Sequence, residues 1–156
     1  NSKVSFIFVP FVKNLMAATI YERVILGHYG RVKDYLDNGG DPNAPDNRGQ
    51  TLLLLAAMNN QPDICGLLVD YKANLNLAAP RGFTPVITAA YFGDLECVRV
   101  LLSRGANPKM TEKERNHVKC AIKWNHEGSD KCLELMDRYE LRNKKAKKTP
   151  MEINEK

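Results

Sequence analysis

Side chains that often do chemistry in proteins are present in this chain, but their spacing supports no reaction. His28, His117 and His126 stand at separations that do not pair them on one face of a helix. The sequence has no Cys-x-x-Cys pair of the kind that holds structural zinc. It also has no glycine-rich phosphate loop and no Ser-His-Asp or Cys-His arrangement with motif support. We therefore expect no catalytic residue, no metal site, no cofactor and no enzymatic activity.

The remaining candidates for chemistry are better explained as packed or solvated groups. Asp137 and Glu140 are expected on exposed helix positions, where water solvates both carboxylates. Reduced thiols buried beside a helix core are typical of a cytoplasmic or nuclear protein. We expect this state for all four cysteines, which are Cys65, Cys97, Cys120 and Cys132.

The framework that positions any functional side chain is a sequence repeat with a period of 33 residues. Gly-Gln-Thr at 49–51 aligns with Gly-Phe-Thr at 82–84, and the alanine pairs at 56–57 and 89–90 keep the same offset. A third match at this offset lies after the last helix of each unit, at Gly39, Lys72 and Gly105. Such coincident matches at one period indicate a solenoid built from stacked units.

Each unit is predicted to contain two short helices and a loop. Thr84 is expected to cap the first helix with its hydroxyl, and Pro85 suits the first helical position because its missing N–H costs nothing there. Gly93 is expected to end that helix in the left-handed conformation, before a second helix over 95–103. The preceding unit repeats the pattern, with Thr51 as its cap.

These residues resemble the ankyrin repeat family, whose pattern is roughly Asp-x-x-Gly-x-Thr-Pro-Leu-His-x-Ala-Ala, Gly-x-x-x-x-Val-x-x-Leu-Leu and Gly-Ala-Asp-x-Asn. The third unit carries the most matches: Gly82, Thr84, Pro85, Val86, Ala89, Ala90, Gly93, Val98, Leu101, Leu102, Gly105, Ala106 and Asn107. The second matches at Asp46, Gly49, Thr51, Leu53, Ala56, Ala57, Leu67, Leu68, Ala73 and Asn76. The fourth is the weakest and fits only with a loop one residue shorter.

The resemblance implies an all-α ankyrin-repeat solenoid with a degenerate C-terminal cap repeat. The expected units cover residues 15–45, 46–78, 79–109 and 110–139. Three positions depart from the family pattern. Leu54 and Ile87 replace the family's His, so packing must replace its hydrogen bonds. Lys72 stands where Gly is expected, which costs on the order of 1 kcal/mol in the left-handed region.

The same resemblance implies binding through loop tips and through the concave face of the first helices. At the end of these helices, the paired concave positions are Ile25 and Leu26, Met58 and Asn59, Tyr91 and Phe92, and Lys123 and Trp124. The loop tips add Asn47, Arg48, Gln50, Pro80, Arg81 and Phe83. Aromatic and Arg side chains are frequent anchors of interfaces. An alternative is that Phe92 and Trp124 pack inside as repeat core.

Length, composition and charge are compatible with one globular domain. The chain has 156 residues, 44% of them hydrophobic, and no run approaches the ~20 apolar residues of a membrane span. Its net charge of +5 is concentrated at the end, where residues 141–156 carry six basic and two acidic side chains. The remainder carries 17 basic and 16 acidic side chains, which does not predict a nucleic-acid-binding face.

Both ends of the chain lie outside the repeats. Residues 1–14 include an apolar run that is a signal-peptide core, a strand covering the exposed end of the solenoid, or a remnant of upstream sequence. Residues 140–156 are predicted to be a basic disordered tail. The tail is a solvated segment, or a nuclear-import or electrostatic contact through Lys144, Lys145, Lys147 and Lys148.

We conclude from the sequence that the chain is a non-catalytic, monomeric module for binding another protein, as an adaptor or a masking inhibitor. The expected location is cytoplasmic or nuclear, without membrane insertion or a small-molecule substrate. Two alternatives stay open. The chain is a regulatory domain of a larger enzyme or transcription-related protein, or it attaches weakly to nucleic acid through its basic tail.

Overall fold

A computed structural model describes residues 20–123 and 128–148, and these residues form eight helices. The proposed N-terminal segment 1–14, Trp124 and residues 149–156 lie outside the described part. The helices are α1 at 20–25, α2 at Tyr29–Asp37, α3 at Leu52–Met58, α4 at Pro62–Asp70, α5 at Pro85–Phe92, α6 at Leu95–Ser103, α7 at Glu112–Lys123 and α8 at Ser129–Lys148.

The helices stack as an all-α solenoid, as the repeat predicted. The first helices α3, α5 and α7 lie side by side and form one layer, and the second helices α2, α4, α6 and α8 form the other. Each first helix from α3 onwards also packs against the second helix of its own unit. None of the helices in the described ranges combines the length and the apolar character that a bilayer span requires.

The core of the stack is formed by small and aliphatic side chains. The alanine pairs at 56–57 and 89–90 are fully buried, which allows α3 and α5 to approach closely. Leu54 and Ile87 are each 1% exposed, so apolar packing fills the place of the family's His. This confirms that burial replaces hydrogen bonding at these positions.

The first helices of the second and third units differ at their starts, since one is capped by a side chain and the other is not. Thr51 Oγ1 accepts a hydrogen bond from the Leu54 N–H at 3.3 Å, as expected. The expected cap at Thr84 is wrong, since its Oγ1 is buried without a hydrogen-bond partner. Because Pro85 fixes the backbone of the first turn, α5 begins without that bond.

The helix ends follow the predicted left-handed geometry. Gly93 has φ 81° at the end of α5, and Gly39 and Gly105 have φ 81° and 94° after α2 and α6. Lys72, the equivalent residue after α4, has φ 67°. The prediction that a side chain occupies this strained conformation is therefore confirmed.

A pair of asparagine hydrogen bonds connects successive units. Asn43 Oδ1 accepts a hydrogen bond from the backbone N–H of Asn74 at 2.7 Å. One period later, Asn76 Oδ1 accepts from the N–H of Asn107 at 3.0 Å. These bonds, which we call the asparagine ladder, fix the spacing between the loops of the first three units.

The fourth unit contradicts three expectations. Helix α8 continues to Lys148, so residues 140–148 are helical and not a disordered tail. These residues are mostly good helix formers. Cys120 is exposed on α7, whereas the other three thiols are buried. Asp137 is not merely solvated, because it holds Arg115 of α7 through contacts of 2.8 and 3.2 Å.

Candidate functional site

An open groove of about 870 Å³ runs along the concave side of the solenoid, across the second, third and fourth units. We call it the concave groove. Its lining consists of Arg48, Gln50, Leu54, Met58, Ala79, Pro80, Arg81, Phe83, Thr88, Tyr91, Phe92, Lys113 and His117. The floor comes from α3 and α5, one wall from two loops, and the other wall from α7.

The loops that form the first wall are tight turns, which we call fingers. In the first finger, Asp46 Oδ1 accepts hydrogen bonds from the N–H groups of Arg48 and Gln50 at 2.8 and 2.7 Å. The second finger closes between Ala79 and Phe83, where the Ala79 N–H donates to the Phe83 carbonyl at 2.9 Å. Both turns leave their side chains free to face an occupant of the groove.

The two fingers stack directly on each other. Gly49 has φ 73°, and a Cβ added there would lie 3.0 Å from the Pro80 ring. A side chain at this position would therefore be strained and would push the fingers apart. The close contact makes the finger wall continuous between Arg48 and Arg81.

Four rings form a continuous row along the groove. Phe92 meets Tyr91 edge-on with ring centroids 5.2 Å apart, and Tyr91 stacks on Phe83 at 6.4 Å. Phe83 in turn meets the imidazole of His117 edge-on at 5.5 Å. We call these four residues the aromatic row. Its members come from α5, the second finger and α7, so it joins the floor to both walls.

The charges in the concave groove are all of one sign. Arg48, Arg81 and Lys113 are exposed, and no Asp or Glu lines the groove. Within the described ranges, none of these three cations is paired with a carboxylate. The groove thus combines an aromatic floor with unneutralised positive charge on both walls.

Comparison with known proteins agrees with this architecture. The family described as ankyrin repeats (3 copies) matches residues 15–114, which is more than half of the chain. The chain belongs to the ankyrin repeat family. Ankyrin repeats are protein-interaction modules and are generally non-catalytic.

The relatives that match this ankyrin domain are much longer proteins, and the match covers only a part of each. An inactive serine/threonine-protein kinase TEX14 of Bos taurus is 34% identical over 79% of this chain and 8% of its own length. The DNA-binding protein RFXANK of Mus musculus is 35% identical over 65% of this chain and 29% of its own. An ankyrin repeat and SAM domain-containing protein 6 of Rattus norvegicus is 33% identical over 60% and 11%. The chain therefore spans less than a third of each of these relatives.

The structure brings most of the sequence-predicted binding residues together. Eight of them line the concave groove of the ankyrin domain: Arg48, Gln50, Met58, Pro80, Arg81, Phe83, Tyr91 and Phe92. Asn47 and Asn59 do not line it, and Asn59 instead donates its side-chain amide to the Leu55 carbonyl at 2.8 Å. Ile25, Leu26 and Lys123 are exposed outside it. Trp124 lies outside the described residues.

Two wall residues of the ankyrin domain were missed because the fourth unit replaces a finger with helix. A 33-residue step from the start of α5 at Pro85 reaches 118, yet α7 begins at Glu112. Lys113 and His117 therefore lie on helical turns where the other units have a finger. The repeat itself could have indicated these two residues. A step of 33 residues leads from Pro80 of the second finger to position 113, and from Thr84 to position 117.

The ankyrin domain has a second cavity, of about 510 Å³, on its convex side. Arg104 and Asp70 both line this cavity, and they form an ion pair with each other. Its lining therefore offers no unpaired guanidinium, and it contains no aromatic row. We regard the concave groove as the stronger candidate.

Two buried thiols of the ankyrin domain, Cys65 and Cys132, are held in their neutral form. A hydrogen bond with Cys97 and burial raise the pKa of Cys65. Burial is also the main cause that raises the pKa of Cys132 to about 12. Within the described ranges, no cluster of His, Cys, Asp and Glu side chains could hold a metal ion.

The basic residues proposed for nuclear import lie at the end of α8. Lys144 forms an ion pair with Glu140 at 2.7 Å, and Lys144 and Lys145 are exposed. Only the backbone is described for Lys147 and Lys148. Their role in import or in electrostatic contacts stays a prediction.

Proposed function

We propose that this ankyrin domain is a non-catalytic adaptor or masking inhibitor that holds a segment of a partner protein in the concave groove. The observation that carries the proposal is the aromatic row at the centre of that groove. Tyr91 and Phe92 are half-buried, so each ring is braced by the fold and still offers a face to a partner.

The surroundings of the row suit an interface anchor. Aromatic residues contribute most to binding when neighbouring contacts keep water away from them. Here the fingers, including Phe83, stand on one side of Tyr91, and α7 stands on the other. Met58 adds a flexible thioether that adapts to the shape of an apolar side chain.

A second candidate is a regulatory role inside a larger protein. The short coverage of the relatives, between 8% and 29% of their length, supports this alternative. In that case the partner segment could belong to another part of the same protein. The free cysteines, three of them buried, support a cytoplasmic or nuclear setting for either role. We propose that the domain is a monomer.

An affinity capture from cell extract tests the proposed function. The immobilised chain is compared with a Tyr91→Ala/Phe92→Ala variant and with an Ile122→Ala/Leu141→Ala control. The control removes two exposed apolar side chains outside the groove, which are 39% and 57% exposed. A partner retained by the wild type and the control but lost by the groove variant supports the proposal.

Partners that bind all three proteins equally would contradict it. Circular dichroism of each variant shows whether the helices are intact, so loss of the fold is separated from loss of the groove. Size-exclusion chromatography with light scattering tests the monomer.

A further inference from the structure

We infer that the concave groove accepts an extended acidic peptide segment, with an aromatic or aliphatic residue between its carboxylates. This inference rests on the proposed function and specifies the chemistry of the partner. It follows from how charge and apolar surface are arranged along the groove.

The first argument is electrostatic. Arg48, Arg81 and Lys113 are the charged residues of the groove, and all three are cations without an acidic partner in the described part of the chain. Residues 1–140 carry 17 basic and 16 acidic side chains, and without the three groove cations 14 basic and 16 acidic. The groove therefore concentrates cations that the rest of this region offsets with acidic side chains, and complementary carboxylates would steer and orient an occupant there.

The second argument concerns where the cations stand relative to the rings. Arg48 and Arg81 are on the fingers, whereas Lys113 is on α7, across the floor formed by α3 and α5. The aromatic row lies between these walls, because it runs from Phe92 on α5 to His117 on α7. An apolar side chain seated on the row would have cationic groups on both sides of it.

The third argument distinguishes a peptide from nucleic acid. Nucleic-acid affinity depends on many phosphate contacts, and the groove offers three cations on three separate elements. Its floor also presents the half-buried Met58, whose flexible thioether suits irregular side chains better than stacked bases. A peptide, whose charges are sparse and whose apolar groups vary in shape, matches this lining.

Selection from a random 12-residue peptide library displayed on phage tests the inference without a known partner. The full chain is the bait, and bound phage are counter-selected against the Tyr91→Ala/Phe92→Ala variant. We expect the enriched peptides to carry Asp or Glu on both sides of an aromatic or aliphatic residue. Groove-dependent peptides without acidic enrichment would overturn the inference and leave the proposed function standing. A selection with no groove-dependent peptide would count against the proposed function itself.

Charge variants then test the role of the cations with a synthetic copy of an enriched peptide. Replacing Arg48, Arg81 and Lys113 together by Gln should weaken binding about tenfold at low salt, and by less at high salt. The matched control changes three exposed cations outside the groove, Arg31, Lys119 and Lys131, and keeps the same net charge. The backbone bonds to Asp46 hold the first finger, so Arg48→Gln should leave the loop intact.

The control set should change binding less than twofold. Equal losses in the two sets would show that net charge and not the groove attracts the peptide, which would overturn the inference. A 12-nucleotide oligothymidylate provides the last arm. Displacement of the peptide by this oligonucleotide at equal concentration would favour nucleic acid and likewise overturn it.

Discussion

The imidazole of His117 meets the ring of Phe83 edge-on, with the two centroids 5.5 Å apart. The contact joins a finger of the third unit to the first helix of the fourth. It places the irregular last unit inside the binding surface, as a wall of the concave groove. The fourth unit, which matches the repeat pattern only weakly, therefore contributes residues to the candidate site.

The first prediction concerns the aromatic row. Tyr91→Ala and Phe92→Ala should each weaken binding of a groove-selected peptide by ~2 kcal/mol, because both rings anchor the occupant. Phe92→Ala should cost the free domain less than ~1 kcal/mol, and Tyr91→Ala somewhat more, since Tyr91 also packs on the core. Fluorescence anisotropy gives the affinities and chemical denaturation the stabilities.

Leu141→Ala is the control for both measurements, because Leu141 is exposed outside the groove. A loss of ~3 kcal/mol in stability for Phe92→Ala with unchanged affinity would identify Phe92 as core. The binding surface would then have to be elsewhere.

The second prediction concerns Lys72. Its backbone has φ 67°, its side chain is exposed, and within the described ranges it forms no ion pair. Lys72→Gly should raise stability by up to about 1 kcal/mol, since relief of strain exceeds the added entropy of the unfolded chain. Gly105→Ala, at φ 94°, is the opposite control and should lower it. Urea denaturation measures both, and a lower midpoint for Lys72→Gly would contradict the argument.

The third prediction concerns the contact between α7 and α8. Arg115 holds Asp137 through two hydrogen bonds, which also raise the pKa of the guanidinium. Asp137→Asn should cost about 1 kcal/mol, less at high salt, because the pair is partly exposed and bidentate. The Arg99–Glu96 pair is more exposed, so Arg99→Gln should cost less than half as much. Equal losses at the two sites would mean that the bidentate geometry adds nothing.

The fourth prediction concerns the thiols. At pH 8, Ellman's reagent should modify one cysteine rapidly and the other three only after the domain unfolds. Cys120 is exposed, whereas Cys65, Cys97 and Cys132 are buried. The raised pKa of Cys132, about 12, leaves almost no reactive thiolate at pH 8. Cys120→Ser should abolish the rapid phase, and a second fast thiol would show that the core opens near a buried cysteine.

The fifth prediction concerns the end of α8. Truncation after Tyr139 should reduce the helical circular-dichroism signal, because residues 140–148 are helical. It should hardly change the thermal midpoint, since Leu141 and the basic side chains described beyond it are exposed. An unchanged signal would show that this segment is not helical in solution. A drop of many degrees would show that it supports the core.

Much of the fold was predictable because the repeat is a local signal that recurs. The bounds of α4 and α6 follow from Pro62, Leu95 and the residues that end each helix. These predictions depend on short-range rules for helix starts and stops, which neighbouring units reinforce. The placement of Tyr91 and Phe92 in the groove was implied by the resemblance to ankyrin repeats, in which the ends of the first helices face the concave side.

The parts that were not predicted include signals that were overlooked and contacts that residue types do not specify. Lys113 and His117 were missed although a capping box marks the early start of α7. Thr111 Oγ1 accepts a hydrogen bond from the Glu114 N–H, and the Glu114 carboxylate accepts one from the Thr111 N–H. Helical structure over 140–148 was not predicted, because the concentrated basic charge and the lack of apolar periodicity in this segment indicated disorder. The missing cap at Thr84 was not predicted either, because the same residue type caps α3 at Thr51 and leaves α5 uncapped at Thr84.

The asparagine ladder has a consequence for how such a domain can change its target. The bonds from Asn74 to Asn43 and from Asn107 to Asn76 set the pitch of the stack, and none of these residues lines the concave groove. The hydrogen bonds of the asparagine ladder and the exposed cations of the groove are therefore separate sets of side chains. Substitutions of exposed groove residues such as Arg48 or Arg81 can retune the specificity of the domain without breaking the ladder.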